Sequence, residues 1–172
     1  MKKFVVIGNP IEHSLSPTLH NYWIKSNGID AIYEKQKLDE GELEQVILQI
    51  RKKKIDGVNV TVPFKKVIIP FLDELSVEAE NTQSVNTLYL KDNKVIGHNT
   101  DIFGFETSME ISEYNVFNKE VLILGAGGVV PSIIFALNKM KASKIKISNR
   151  TKEKAENLKK LFKDIEIKEW GE

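Results

Sequence analysis

Apolar residues first bunch at residues 4–8, "FVVIG", a short run closed by Gly-Asn-Pro that predicts a buried strand. The segment "SPTLHNYWIKSNG" then predicts a helix with Ser16 as N-cap, Pro17 at the first helical position and Gly28 as its stop. "AIYEKQKL" reads as a second strand. Residues 39–54 form a helix pattern with Leu43, Val46, Ile47 and Ile50 on one face. "GVNVTVP" alternates as a third strand and ends at Pro63. A helical stretch broken by Pro70 follows, and "SVNTLYL" and "KVIGHN" flank the hairpin signal Lys91-Asp92-Asn93. This order predicts a mixed, mainly parallel α/β sheet.

A helix from Asp101 to about Ile111 leads into the polar stretch "SEYNVFNKE", after which the pattern restarts. Strand "VLIL", a glycine-rich turn, a helix to Met140, strand "KIKIS", helix "KEKAENLKKLF" and strand "IEIKE" follow. The fold expected is α/β: a substrate-binding domain over residues 1–112, then over 113–172 the first half of a Rossmann-type dinucleotide-binding domain. A complete fold of that type has six strands.

Composition narrows the function classes. The 172 residues carry a net charge of +1, which gives no electrostatic reason to expect nucleic acid or an anionic membrane as partner. The cationic run Arg51 to Lys54 ends a helix pattern and reads as a solvated helix end. There is no cysteine, so disulfides and thiolate metal sites are excluded, and no metal is expected. The five apolar residues near the N-terminus are too few for a signal peptide core, and no apolar run approaches the length of a membrane span. A cytoplasmic protein is expected.

In "VLILGAGGVV", Gly125-Ala126-Gly127 lies between strand and helix, where the dinucleotide fingerprint belongs. The first glycine makes the tight turn, the second lets a pyrophosphate approach the backbone, and the helix N-terminus faces the anion. The third fingerprint position is Val130, bulkier than the usual Gly or Ala and followed by Pro131. At the end of the next strand an NAD-binding protein carries an acid, but this chain has "SNRTKEK". The Arg150 guanidinium suits a ribose 2′-phosphate; Asn149 and Thr151 can hydrogen-bond it, and Lys152 or Lys154 can add charge. NADP is therefore expected over NAD.

The first unit offers matching chemistry. Ser14 and Ser16 beside a helix N-terminus can receive a carboxylate. Lys65 follows the strand carrying Thr61 and falls near a helix start, where a cation is disfavoured and so becomes a better proton donor. Asp101, expected to be the N-cap of its helix, would be ionised and orient Lys65, so the two can exchange a proton with a substrate oxygen. Asn86 can bind a substrate hydroxyl from an adjacent strand.

Together "GNPIEHSLSPTLHN", "GVNVTVPFK", "SVNTL", "GHNTDIFGF", "GAGG" and "NRTKEKAE" resemble the shikimate dehydrogenase family, in order and spacing, over residues 8 to 156. The resemblance implies NADP-dependent reduction of 3-dehydroshikimate to shikimate in aromatic amino-acid biosynthesis. It assigns Ser14 and Ser16 to the carboxylate, Thr61, Asn86 and Asp101 to the ring hydroxyls, and Lys65 to acid/base catalysis. It assigns Gly125, Ala126, Gly127, Gly128 and Val129 to the pyrophosphate, and Asn149, Arg150, Thr151, Lys152 and Lys154 to the adenosine phosphate. His13, His20 and His98 receive no chemistry and are expected to be structural. The chain stops where that family continues, so a truncated form is expected, weak or inactive in turnover, with an exposed sheet edge open to self-association. The competing expectations are a non-catalytic binding fragment and an NAD-using quinate/shikimate dehydrogenase.

Overall fold

The computed structural model describes residues 1–171, which fall into two compact units, Met1–Asn99 and 100–171. The first runs β1 (Lys2–Gly8), α1 (Ser16–Ser26), β2 (Ala31–Lys37), a 3-10 turn at Glu40–Glu42, α2 (Leu43–Arg51), β3 (Gly57–Val60) and α3 (Phe64–Val67). A 3-10 turn at Ile69–Phe71, β4 (Glu74–Leu75), α4 (Val77–Thr82), β5 (Thr87–Lys91) and β6 (Lys94–His98) complete it. The strands form one sheet in the order β2-β1-β3-β5-β6-β4. β1 runs parallel to both neighbours, while β5 is antiparallel to β3 and β6.

β1 is buried on both faces: Val5, Val6 and Ile7 are all nearly inaccessible. One face, through Val5, Ile7, Val58, Val60 and Leu88, joins the main core with Leu43, Val46, Ile47 and Ile50 of α2, the face read from the sequence. The opposite face gathers Phe4, Val6 and Tyr33 with Ile11 and Ile24. α2 begins later than its pattern suggests, because Asp39 and Glu42 form a capping box around the 3-10 turn (Asp39 N–H to Glu42 Oε2, 2.7 Å). The β5–β6 hairpin turns on Asp92 and Asn93 at φ 49° and 62°, the two left-handed residues whose twist matches the strands. The outer edge of β2 is partly closed: the Asn21 side chain donates to Tyr33 O (2.7 Å) and accepts from Tyr33 N (3.0 Å).

Three local expectations change. α1 starts with Ser16 itself, Pro17 second, and Ser14 Oγ accepts the Ser16 N–H at 3.3 Å. Ser14 thus holds a helix-start amide, and Ser16 is not the cap. Of the cationic run, Lys52 to Lys54 are exposed, but Arg51 pairs with Asp73 at 2.8 Å. The segment after Pro70 contains β4 and a separate α4, whose N-cap Ser76 accepts from Ala79 N at 3.3 Å.

The second unit comprises α5 (Asp101–Ile111), β7 (Glu120–Leu124), α6 (Val130–Lys139), β8 (Lys144–Ser148), α7 (Lys152–Leu161) and β9 (Glu166–Lys168). Its sheet is parallel, in the order β7-β8-β9. The division falls after Asn99 rather than after residue 112, because α5 packs with α6. Phe105 and Met109 join the core of Ile134, Leu137, Ile145 and Ile147, and Glu106 pairs with Lys139 at 2.9 Å. No helix among the described residues is long and apolar enough to cross a membrane.

Candidate functional site

In the first unit, Ser14, Ser16 and Thr61 line one open cavity of about 260 Å³ with Val6, Ile11 and His13. Two approaches bring these segments together. Thr61 N–H donates to Ile7 O (3.0 Å), and Asn9 N–H donates to Val62 O (3.0 Å). A side chain at Gly8 would lie 2.6 Å from Thr61 Cγ2, so glycine is what lets the threonine close in. The Asn9–Pro10 and Val62–Pro63 peptides beside the cavity are both cis.

Lys65 and Asn86 are held near one another by backbone. Val85 N–H donates to Lys65 O (2.8 Å), Val60 N–H to Asn86 O (2.8 Å), and Asn86 N–H to His98 O (3.0 Å). Asn86 is 9% exposed and Lys65 half-buried. Lys65 does not sit at the start of a full helix, although its sequence neighbours suggest one. α3 is a single four-residue turn, too short to sum peptide dipoles, with Lys65 as its second residue. His98 Nδ1 lies 2.7 Å from Ser76 Oγ and 3.8 Å from Glu78 Oε2, tying β6 to the start of α4. Asn99, at 1% exposure, donates to Thr82 Oγ1 (3.0 Å) and Ser84 O (2.9 Å), anchoring the chain where the first unit ends.

In the second unit Asp101 is half-buried and is the first residue of α5, so Thr100, not Asp101, occupies the cap position. At the other end of that unit the glycine turn follows β7. Gly125 sits at φ 110°, a conformation only glycine adopts without strain, and its N–H donates to Ser148 O (2.8 Å). Because Leu124 pairs with Ser148, that turn and the segment 149–151 leading into α7 lie side by side at the carboxyl ends of parallel strands, where α/β sheets bind ligands. A side chain at Gly127 would meet nothing within 4 Å, so neither packing nor φ requires glycine there, and the space is open to a group approaching the backbone. Thr151 occupies the cap position of α7 without a side-chain capping bond, and Asn149 Nδ2 donates to Thr151 O (2.7 Å). Arg150, Lys152 and Lys154 are exposed, and Arg150 makes no ion pair among the described residues.

The model for "Shikimate dehydrogenase substrate binding domain" matches residues 6–88, and that for "Shikimate / quinate 5-dehydrogenase" matches residues 107–170. The chain belongs to the shikimate dehydrogenase family. It is 66% identical over 171 residues to the shikimate dehydrogenase (NADP(+)) of Pelagibacter ubique, a match covering 99% of this chain and 64% of that one. The crystal structure of shikimate dehydrogenase from Aquifex aeolicus superposes with a TM-score of 0.90 at 39% identity, covering 98% of this chain and 62% of that one. The enzyme from Thermus thermophilus, in complex with NADP(H) and shikimate, gives 0.87 at 31% identity, covering 98% and 63%. The chain therefore spans less than two thirds of the length of these relatives.

The departure from the family's dinucleotide fingerprint has a local account. Val130 is 7% exposed and packs in the core of the second unit, and Pro131 stands at the second position of α6, where a missing N–H costs no helix bond. Tyr33, Asn59 and Thr87 stand in no sequence motif, and the one local sign of their role is a polar Asn59 between Val58 and Val60, two valines buried on the opposite face.

Proposed function

We propose that the chain binds shikimate through its first unit and NADP through its second, as the substrate and cofactor units of an NADP-dependent shikimate dehydrogenase. The whole protein then catalyses the reversible reduction of 3-dehydroshikimate to shikimate, a step of aromatic amino-acid and chorismate biosynthesis in the cytoplasm. The observation that carries the reading is the convergence of Ser14, Ser16 and Thr61 on one cavity. The hydroxyls of Ser14 and Ser16 receive the carboxylate, and Thr61 and Asn86 hold ring hydroxyls. Lys65 gives a proton to, or takes it from, the ring oxygen through its Nζ.

Bound NADP supplies the hydride exchange. The residues fit that group: the turn over residues 125–129 leaves open space at Gly127, Gly125 takes the conformation the turn needs, and Arg150 offers an exposed guanidinium to a 2′-phosphate. Asn149, Thr151, Lys152 and Lys154 complete that anion site.

A second reading, binding without turnover by these 172 residues, is favoured by the sheet of the second unit, which among the described residues pairs three strands where a full dinucleotide fold pairs six. Calorimetric titration with shikimate and with NADP tests the binding, and NADP reduction with shikimate separates the two readings. Saturable binding without turnover supports the second; no binding of shikimate overturns both. Where turnover is measurable, Lys65→Ala lowers kcat by ~10²–10⁴ and changes shikimate affinity much less.

A further inference from the structure

We propose that Tyr33, Asn59 and Thr87 form a directional hydrogen-bond relay that sets the orientation of the Asn86 amide, making them positioning residues for the substrate site. This inference rests on the reading of Asn86 as a substrate contact.

The register of the sheet makes the relay. Phe4 pairs with Tyr33, Val6 with Asn59, and Asn59 with Thr87, so all these side chains share the face opposite the main core. Tyr33 on β2 is separated from β3 by β1, and its phenol reaches past it. The Tyr33 hydroxyl donates to Asn59 Oδ1 (2.6 Å), Asn59 Nδ2 donates to Thr87 Oγ1 (3.2 Å), and Thr87 Oγ1 donates to Asn86 Oδ1 (3.0 Å). Each link alone could run either way, since hydroxyls and amides both donate and accept.

One contact breaks that symmetry. The Asn59 atom facing Thr87 also lies 3.3 Å from the main-chain carbonyl of Asn86, which can only accept. The atom there must be the amide nitrogen. Thr87 Oγ1 then receives a proton from Asn59 and keeps its own to give, and the atom of Asn86 that faces it at 3.0 Å is Oδ1. Asn86 Nδ2 is left on the side away from the relay, so Asn86 meets a substrate oxygen as a donor. The starting point is firm. Tyr33 is 5% exposed, its ring stacks on His20 (centroids 4.1 Å apart, 3° between planes), and burial pushes its ionisation up to about 12, so the phenol keeps its proton at neutral pH.

The relay predicts results that a merely structural role does not. Thr87→Val keeps the shape and removes the Thr87 hydroxyl that donates to Asn86 Oδ1, while Thr87→Ser restores it. Asn59→Asp puts acceptors where a donor stood, draws the Thr87 proton back and lets Asn86 reverse. In NMR spectra of the ligand-free chain, the Asn86 carboxamide carbon and Nδ2 signals should move in Thr87→Val and in Asn59→Asp, and return in Thr87→Ser. Calorimetry with shikimate should show about three- to tenfold weaker binding for Thr87→Val and near wild-type binding for Thr87→Ser, the size of one lost neutral hydrogen bond. Unmoved Asn86 signals in folded Thr87→Val and Asn59→Asp proteins overturn the relay. If wild type fails to bind shikimate, the substrate reading falls and the NMR comparison still decides the relay.

Discussion

β1 and β7 carry nearly the same kind of sequence, "FVVI" and "VLIL", yet they live in different surroundings. In β1, pairing with β2 and β3 and cover on both faces leave Val5, Val6 and Ile7 at 3% exposure or less. In β7, a single neighbour among the described residues and one covered face leave Leu122 at 54% and Leu124 at 71%. A continuous apolar run marks a strand meant for burial on both sides. It does not supply the partners that bury it, so equal sequences contribute unequal stability.

The sharpest test of that contrast is truncation at matched positions. Ile7→Ala removes a fully buried side chain from β1 and should destabilise the first unit by about 2–5 kcal/mol. Leu124→Ala should change the second unit by no more than about 0.5 kcal/mol, because that side chain already faces solvent. Urea unfolding followed through NMR signals of each unit reads both numbers. Similar losses at the two sites would mean that β7 is covered as β1 is.

Alkaline pH probes the buried polar face of the first unit. Tyr33 shifts from the ordinary 10.0 to about 12 because burial disfavours the phenolate. The folded state then holds its proton more tightly than the unfolded one. The contribution is whole below pH 10 and is lost as pH rises through about 12, in total roughly 2–3 kcal/mol. Wild type should therefore lose more stability between pH 10 and 12 than Tyr33→Phe does. Parallel curves for the two proteins would place the phenol in contact with water.

The open second unit should show its chemistry at Arg150. Arg150→Ala should weaken NADP by roughly ten- to a hundredfold, the worth of a charge-assisted contact, and leave NAD nearly unchanged. Titration of both cofactors separates a phosphate contact from a general loss of charge, which weakens the two alike.

The contrast also explains what could be read from the chain. Periodicity located the core face of α2, and Asp92-Asn93 announced the hairpin, because each depends on residues a few positions apart. The start of α1 was misread: Ser16 looked like a cap beside Pro17, while the hydroxyl that reaches the free N–H belongs to Ser14. Lys65 was credited with a helix terminus that one turn of α3 does not provide. α5 was assigned to the first unit because polar residues follow it, although Phe105 and Met109 face the second core. The Tyr33–Asn59–Thr87 contacts depend on the order β2-β1-β3-β5, which no local pattern contains.

The smallest expected effect concerns the edge of β7. Its outer side has no strand partner among the described residues, and Leu122 and Leu124 lie exposed beside Trp170, itself 58% exposed. An edge of this kind, apolar and unpaired, invites pairing with another chain. Of the two lysines that border this patch, Lys146 is engaged by Glu120 and Lys168 lies at its far side on β9. The chain should therefore associate weakly as its concentration rises. Leu124→Lys should suppress that association by placing a charge on the exposed strand, while changing unfolding free energy by no more than about 0.5 kcal/mol. Light scattering over a concentration series reads the first effect and urea unfolding the second. A wild-type chain that stays monomeric throughout would show that the bare edge of β7 is tolerated as it stands.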